Sequence, residues 1–215
     1  YEAKRRALSP SAGPTFLLEP NPDGPLPSPE ALKALQANYT LQAHQDQRVW
    51  WVNQVQDNAQ FAAMLEATDE SLGRIRAKLG ELGLAENTIL IFTGDNGGMS
   101  ASNQYRGVHH PREVLDRRFA SSNLPLRGAK GWNYEGGIRV PLIVHWPGRV
   151  KAGSTSQAMV IGTDFYPTLL EMTGYPLLPH QHVDGQSFVP ALLGQAHDRG
   201  ALFWHFPHYS NHGYQ

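Results

Sequence analysis

Thr88-Ile-Leu-Ile-Phe-Thr-Gly-Asp95-Asn96-Gly-Gly98 is the stretch on which the fold turns. A short, continuously apolar run rich in branched residues suits a strand covered on both faces, as in the sheet of an α/β protein. Such a strand would end by presenting a carboxylate and an amide oxygen, those of Asp95 and Asn96. The glycines behind them let the chain turn without steric cost. Hard divalent cations such as Ca²⁺ prefer oxygens of these types. Asp-Asn-Gly-Gly is equally a common turn, and spacing alone does not separate a turn from part of a coordination shell.

A second stretch bears on that choice: Leu126-Arg-Gly-Ala-Lys130-Gly-Trp-Asn-Tyr-Glu-Gly-Gly-Ile-Arg-Val-Pro141. Its glycines allow close approach of backbone to a ligand, and the ammonium of Lys130, on a flexible stem, can reach an anionic oxygen. The ordinary fate of a lysine is a solvated surface, so the loop and not the residue type makes Lys130 a candidate. Glu135 and Arg139 are expected to pair within the loop as scaffold.

Working outward, residues 9–30 are crowded with Pro10, Pro14, Pro20, Pro22, Pro25, Pro27 and Pro29, and little regular structure is expected there. From about Gln45 to Leu82, a series at Phe61, Met64, Leu65, Thr68, Leu72, Ile75, Leu79 and Leu82 steps by three and four, which predicts a long amphipathic helix capped by Gly83. Val140 to Trp146 reads as a second strand, stopped by Pro147-Gly148. Asp164 is placed to cap a helix over Phe165 to Met172, closed by Gly174. A further short helix is expected over Ser187 to Leu193 before Gly194, and a last strand over Ala201 to Phe206. Alternating helices and strands favour an α/β sheet with helices on its faces.

The composition is that of an ordinary globular chain: 215 residues, 40% hydrophobic, with a formal net charge of -1. That charge gives no footprint for nucleic acid, and no apolar run approaches the ~20 residues of a membrane helix. With no cysteine, a disulfide framework and a thiolate metal site are both excluded. The chain opens on Tyr1 without a signal peptide and is expected to be part of a larger polypeptide.

Thr93-Gly-Asp95-Asn96-Gly-Gly98, taken with Leu126-Arg-Gly-x-Lys130-Gly-x-x-Tyr-Glu-Gly-Gly-Ile-Arg-Val-Pro141, resembles the second half of a sulfatase active site, in the alkaline-phosphatase-like superfamily. The likeness extends to bacterial sulfatases acting on sulfated carbohydrates. It implies an alkaline-phosphatase-like sheet flanked by helices on both faces, incomplete in this chain. Residues 1–215 would be the C-terminal portion of the catalytic domain, with residues 9–30 a variable loop and with the N-terminal half and a small C-terminal subdomain outside. The resemblance assigns calcium to Asp95 and Asn96. It gives Lys130 both substrate binding and catalysis, through charge neutralisation on the sulfuryl group. Zinc phosphatases of the superfamily carry His where Asn96 stands, so Asn96 points to calcium and sulfate.

Leu202-Phe-Trp-His205-Phe-Pro-His208-Tyr209 resembles a segment near the substrate mouth of sulfatases that act on sulfated sugars, which makes His205 and His208 substrate-binding candidates; Arg106 is another. Imidazoles and aromatic faces suit a sulfated sugar by hydrogen bonding and stacking, although a buried strand end would account for the same residues. The histidines of His109-His110 and of the C-terminal segment fall in no recognised zinc spacing. His180 and His182, in a proline-flanked loop, are expected to be solvated.

The family nucleophile is a formylglycine made from Cys or Ser in Cys/Ser-x-Pro-x-Arg, a motif lacking in these residues. The resemblance therefore implies a sulfuric ester hydrolase that needs the rest of its own polypeptide, with residues 1–215 alone inactive. Its partner would be a sulfated small molecule or polysaccharide, and its location periplasmic or secreted. A phosphate or phosphonate ester hydrolase of the same superfamily, or a non-catalytic oxyanion- or carbohydrate-binding relative, stays open at this point.

Overall fold

The computed structural model describes residues 16–20, 28–37, 49–53, 55–102 and 121–205. Strand β1, Phe16–Pro20, lies inside the proline-rich stretch where little regular structure was expected. It pairs antiparallel with β2, Val49–Asn53, from Phe16 opposite Asn53 to Pro20 opposite Val49. Helix α1, Pro29–Ala37, starts with proline at its first position, where the missing N–H costs nothing. The Ser28 hydroxyl before it accepts the N–H of Ala31 at 3.2 Å.

The helix expected from Gln45 begins later. Asn58 Oδ1 accepts the N–H of Phe61 at 2.8 Å, and this cap opens α2, Ala59–Glu81. The Val-Trp-Trp-Val run upstream takes the extended state that branched and aromatic side chains favour. At the other end Gly83 turns with φ of 67° and Leu84 N–H reaches Leu79 O at 2.8 Å, a C-terminal cap as foreseen. The apolar stripe of α2 is open among the described residues: Met64, Leu65 and Ile75 are all more than half exposed. No described helix is long and apolar enough to cross a membrane.

The described residues separate into two compact units, the first drawn from residues up to 75 and from 93–141, the second from 76–92 and 142–205. In the first, β2 is the central strand of a sheet ordered β1-β2-β4, where β4 is the short Ala101–Ser102. Its core is built on Ala129 and Trp132, with Val52 and Tyr134 packed against them.

Strand β3, Leu90–Thr93, is hydrogen-bonded to β5, Leu142–His145, in a two-stranded sheet. Neither strand is covered on both faces by the described residues: Phe92 is 36% exposed and Ile143 61%. Helix α4, Phe165–Met172, has the bounds read from the sequence. Its buried face meets Phe188, whose ring stands edge-on to Phe165 at 5.6 Å, next to the short helix α5, Val189–Leu192.

Asp164 heads α4, yet its carboxylate does not cap that helix. It is fully buried, accepts the N–H groups of Ile161 at 3.0 Å and Gln186 at 2.9 Å, and pairs with Arg199 Nε at 2.9 Å. Arg199 also donates to Asp184 O. The expected final strand is irregular over 201–205, and Phe206 lies outside the described residues. His180 is exposed as expected, whereas His182 is half-buried, with Nδ1 3.2 Å from Gly185 O and its ring edge-on to Tyr166.

Candidate functional site

The two signature stretches meet backbone to backbone in the first unit. Asp95 and Asn96 turn out of β3, and Gly97 N–H then donates to Gly137 O at 2.8 Å. One residue on, Gly98 O accepts the backbone N–H of Lys130 at 3.1 Å. Upstream, Gly94 N–H reaches Pro141 O at 3.3 Å. A side chain has no room at this junction: a Cβ on Gly97 would lie 2.8 Å from Gly136 C and Gly137 Cα, and one on Gly136 would lie 2.6 Å from Arg127 O. Glycine at 97 and 136 thus answers a close approach of main chains.

The lysine loop is braced from within. Helix α3, Glu135–Ile138, is a single turn whose Gly136 N–H donates to Arg127 O at 2.7 Å. Arg127 lies over the Tyr134 ring at 4.1 Å, a cation–π contact. Glu135 and Arg139 form the expected ion pair at 2.8 Å; both are more than half exposed, so its contribution is at most about 0.5 kcal/mol.

Two asparagines join the stretches to each other and to β2, and neither had been singled out from the sequence. Asn123 Nδ2 lies within hydrogen-bond distance of Gly98 O, Gly136 O and Gly128 O. Asn53, 2% exposed, donates from Nδ2 to Ser121 O at 3.2 Å and from its backbone to Ser100 O at 2.8 Å. In the sequence both look like turn or strand-end residues; the signal that picks them out is long-range.

The donor set on the turn suits a hard cation. Asp95 is exposed, and the ion pairs among the described residues are Lys78–Glu81, Glu135–Arg139 and Asp164–Arg199, so neither Asp95 nor Lys130 is spent on one. Asn96 Nδ2 donates to Gly97 O at 3.3 Å, which leaves its Oδ1 as the acceptor for a further partner. A carboxylate and an amide oxygen on adjacent residues fit a Ca²⁺-type ion and supply only part of its six to eight ligands. Among the described residues no group of three or more His, Cys, Asp or Glu is placed to hold a metal.

The segments of Asp95, Asn96 and Lys130 are thus brought together. His205 belongs to the second unit and is exposed. Arg106, His208 and the pair His109-His110 lie outside the described residues.

The chain is similar to known proteins. Over 165 residues, 70% of this chain, it is 36% identical to a sulfatase of Formosa agariphila and spans 27% of that protein's length. It is 34% identical to human arylsulfatase A over 149 residues, 69% of this chain and 26% of the relative. The chain therefore spans about a quarter of the length of these curated relatives. Among solved structures, Ps i-CgsB in complex with k-i-k-neocarrahexaose superposes with a TM-score of 0.52 at 28% identity, over 80% of this chain and 32% of that one. Its likeness places the helices and short strands seen here in an α/β fold of the alkaline-phosphatase-like type, present in part. The sulfatase family profile matches residues 17–175, which include both signature stretches, and the chain belongs to the sulfatase family.

Proposed function

We propose that the protein containing these residues is a calcium-dependent sulfuric ester hydrolase that releases inorganic sulfate from a sulfated carbohydrate. The observation that carries this reading is the main-chain junction of the two stretches, Gly97 N–H to Gly137 O and Lys130 N–H to Gly98 O. It brings the segments that carry Asp95, Asn96 and Lys130, the lysine unpaired among the described residues, into one loop cluster. Membership of the sulfatase family supports the reaction class, and the carbohydrate named with Ps i-CgsB supports the substrate class.

In this reading Asp95 and Asn96 Oδ1 hold the ion, and Lys130 donates N–H bonds to the transferred sulfuryl group. Bound calcium would supply positive charge against the sulfuryl oxygens. Lys130 adds a second positive charge that becomes more valuable as negative charge grows toward the transition state, the differential that lowers a barrier. The exposed His205, with His208 and Arg106, would contact the sugar. The nucleophile, a formylglycine in the family, would come from a segment outside residues 1–215, so these residues alone form the C-terminal portion of a catalytic domain and would not turn over. Polymeric sulfated substrates favour a periplasmic or secreted enzyme.

The test is to assay the full-length protein, with and without a chelator, against sulfated oligosaccharides and against phosphate and phosphonate monoesters of matched alcohols. Chelator-sensitive sulfate release with a higher kcat/KM than for either phosphorus ester is expected. Preference for a phosphorus ester would move the protein to the phosphatase side of the superfamily, and carbohydrate binding without hydrolysis would make it a binder.

A further inference from the structure

We propose that Asn123 is the positioning residue that fixes the spacing between the calcium ligands Asp95 and Asn96 and the ammonium of Lys130. The inference rests on the roles given above to those three residues. The Asn123 amide nitrogen lies 2.9 Å from Gly98 O, 2.8 Å from Gly136 O and 3.3 Å from Gly128 O. These carbonyls belong to both stretches: Gly98 closes the turn that bears Asp95 and Asn96, while Gly128 and Gly136 flank Lys130 on either side in the sequence. An amide NH₂ has two protons, so the two shorter contacts take one each, and the third is shared or weaker.

Gly98 O is the hinge of this arrangement, since it also accepts the backbone N–H of Lys130 at 3.1 Å. One carbonyl of the metal-binding turn is thereby bonded to the lysine itself and to the side chain that grips the rest of the lysine loop. The grip has a fixed base: two residues before Asn123, Ser121 O accepts from the buried Asn53 at the end of β2. Asn123 is packed closely on the turn as well, for a Cβ on Gly98 would stand 2.6 Å from its Oδ1.

Among isosteric side chains of this size, only Asn offers a neutral NH₂ to three converging carbonyls. Aspartate has the same shape but would set an oxygen against them, so Asn123→Asp removes the donor without opening a cavity. A misplacement of about 1 Å costs on the order of 10²-fold in rate when a group must meet its partner in the transition state. Asn123 needs no contact with substrate to act in this way.

The experiment uses the full-length enzyme and four proteins: wild type, Asn123→Asp, Lys130→Ala and the double variant. Calcium binding is followed by calorimetry, and backbone exchange over residues 126–134 by mass spectrometry. If Asn123 acts through Lys130, Asn123→Asp alone lowers kcat about 10²-fold but costs less than threefold more in the Lys130→Ala background. In the wild type, calcium slows exchange of the lysine loop, and in Asn123→Asp that coupling is lost while Asp95 still binds the ion. A kcat within twofold of wild type, or a loss that multiplies fully with that of Lys130→Ala, overturns the proposal. Should Asn123→Asp fail to fold, Asn123→Ala, which withdraws the donor without adding charge, carries the same exchange comparison. If Lys130→Ala and Asp95→Ala both keep wild-type turnover and calcium affinity, the site reading itself fails; if they lose them and the Asn123 variants do not, only the positioning role fails.

Discussion

Gly97→Ala isolates the junction on which the functional reading depends. A methyl group there would stand 2.8 Å from Gly136 C and Gly137 Cα and nearer still to Gly136 O, all main-chain atoms that cannot rotate away. Ordinary contact begins at 3.4 Å, so relieving the 2.8 Å contacts alone takes a separation of 0.6 Å, and the nearer Gly136 O requires more. That movement weakens the 2.8 Å bond from Gly97 N–H to Gly137 O. Loss of the bond contributes about 0.5–1.5 kcal/mol and overpacking about 1–3 kcal/mol, so a destabilisation of about 2–4 kcal/mol is expected. Gly73→Ala is the control, because Gly73 lies in α2 with nothing within 4 Å of the added carbon. There the same substitution should stabilise by about 0.5–1 kcal/mol through helix propensity. Urea denaturation of the full-length protein reads both, and calcium titration of Gly97→Ala reads the local effect. Equal midpoints for Gly97→Ala and wild type, with unchanged calcium affinity, would refute the close packing of the two stretches.

Asp164→Ala removes a carboxylate that is buried and bonded to Ile161, Gln186 and Arg199, leaving Arg199 only 16% exposed without its partner. A loss of about 3–5 kcal/mol in urea denaturation is expected, and a loss below about 1 kcal/mol would count against a buried pair. Thr168→Val leaves the Phe188 N–H without its 3.0 Å acceptor in a buried site, at a cost of about 1–3 kcal/mol in the same assay, measured against an unchanged fold by circular dichroism. Lys130→Ala should lower kcat about 10²–10³-fold with a smaller change in KM, which steady-state kinetics on a sulfate ester will read.

The parts of the fold set by local chemistry were legible before the structure. Gly83, Gly174 and Gly194 all take positive φ just beyond helix ends, and the bounds of α4 follow from its apolar period between Asp164 and Gly174. What was missed depends on partners far along the chain. β1 escaped notice because the prolines in and around it read as loop, and only the ladder to β2 reveals it as a strand. The Val-Trp-Trp-Val run of β2 was merged into the helix after it because continuous apolarity has no period of its own, and the Asn58 cap was given no weight. Asp164 occupies a capping position, yet its partner Arg199 is 35 residues away, beyond any local pattern.

The candidate site divided in the same manner. Asp95, Asn96 and Lys130 could be named from oxygen chemistry, glycine spacing and family likeness. Asn123 and Asn53 could not, because their roles lie in carbonyl groups that converge only after folding.

The most direct measurement of the central claim is sulfate release from a sulfated oligosaccharide by the full-length protein, quantified by ion chromatography beside its Asp95→Ala and Lys130→Ala variants. Stoichiometric sulfate from wild type, with calcium affinity lost in Asp95→Ala and turnover lost in both variants, is the expected result. Undiminished sulfate release by either variant would contradict the assignment of the ion and the lysine to this site.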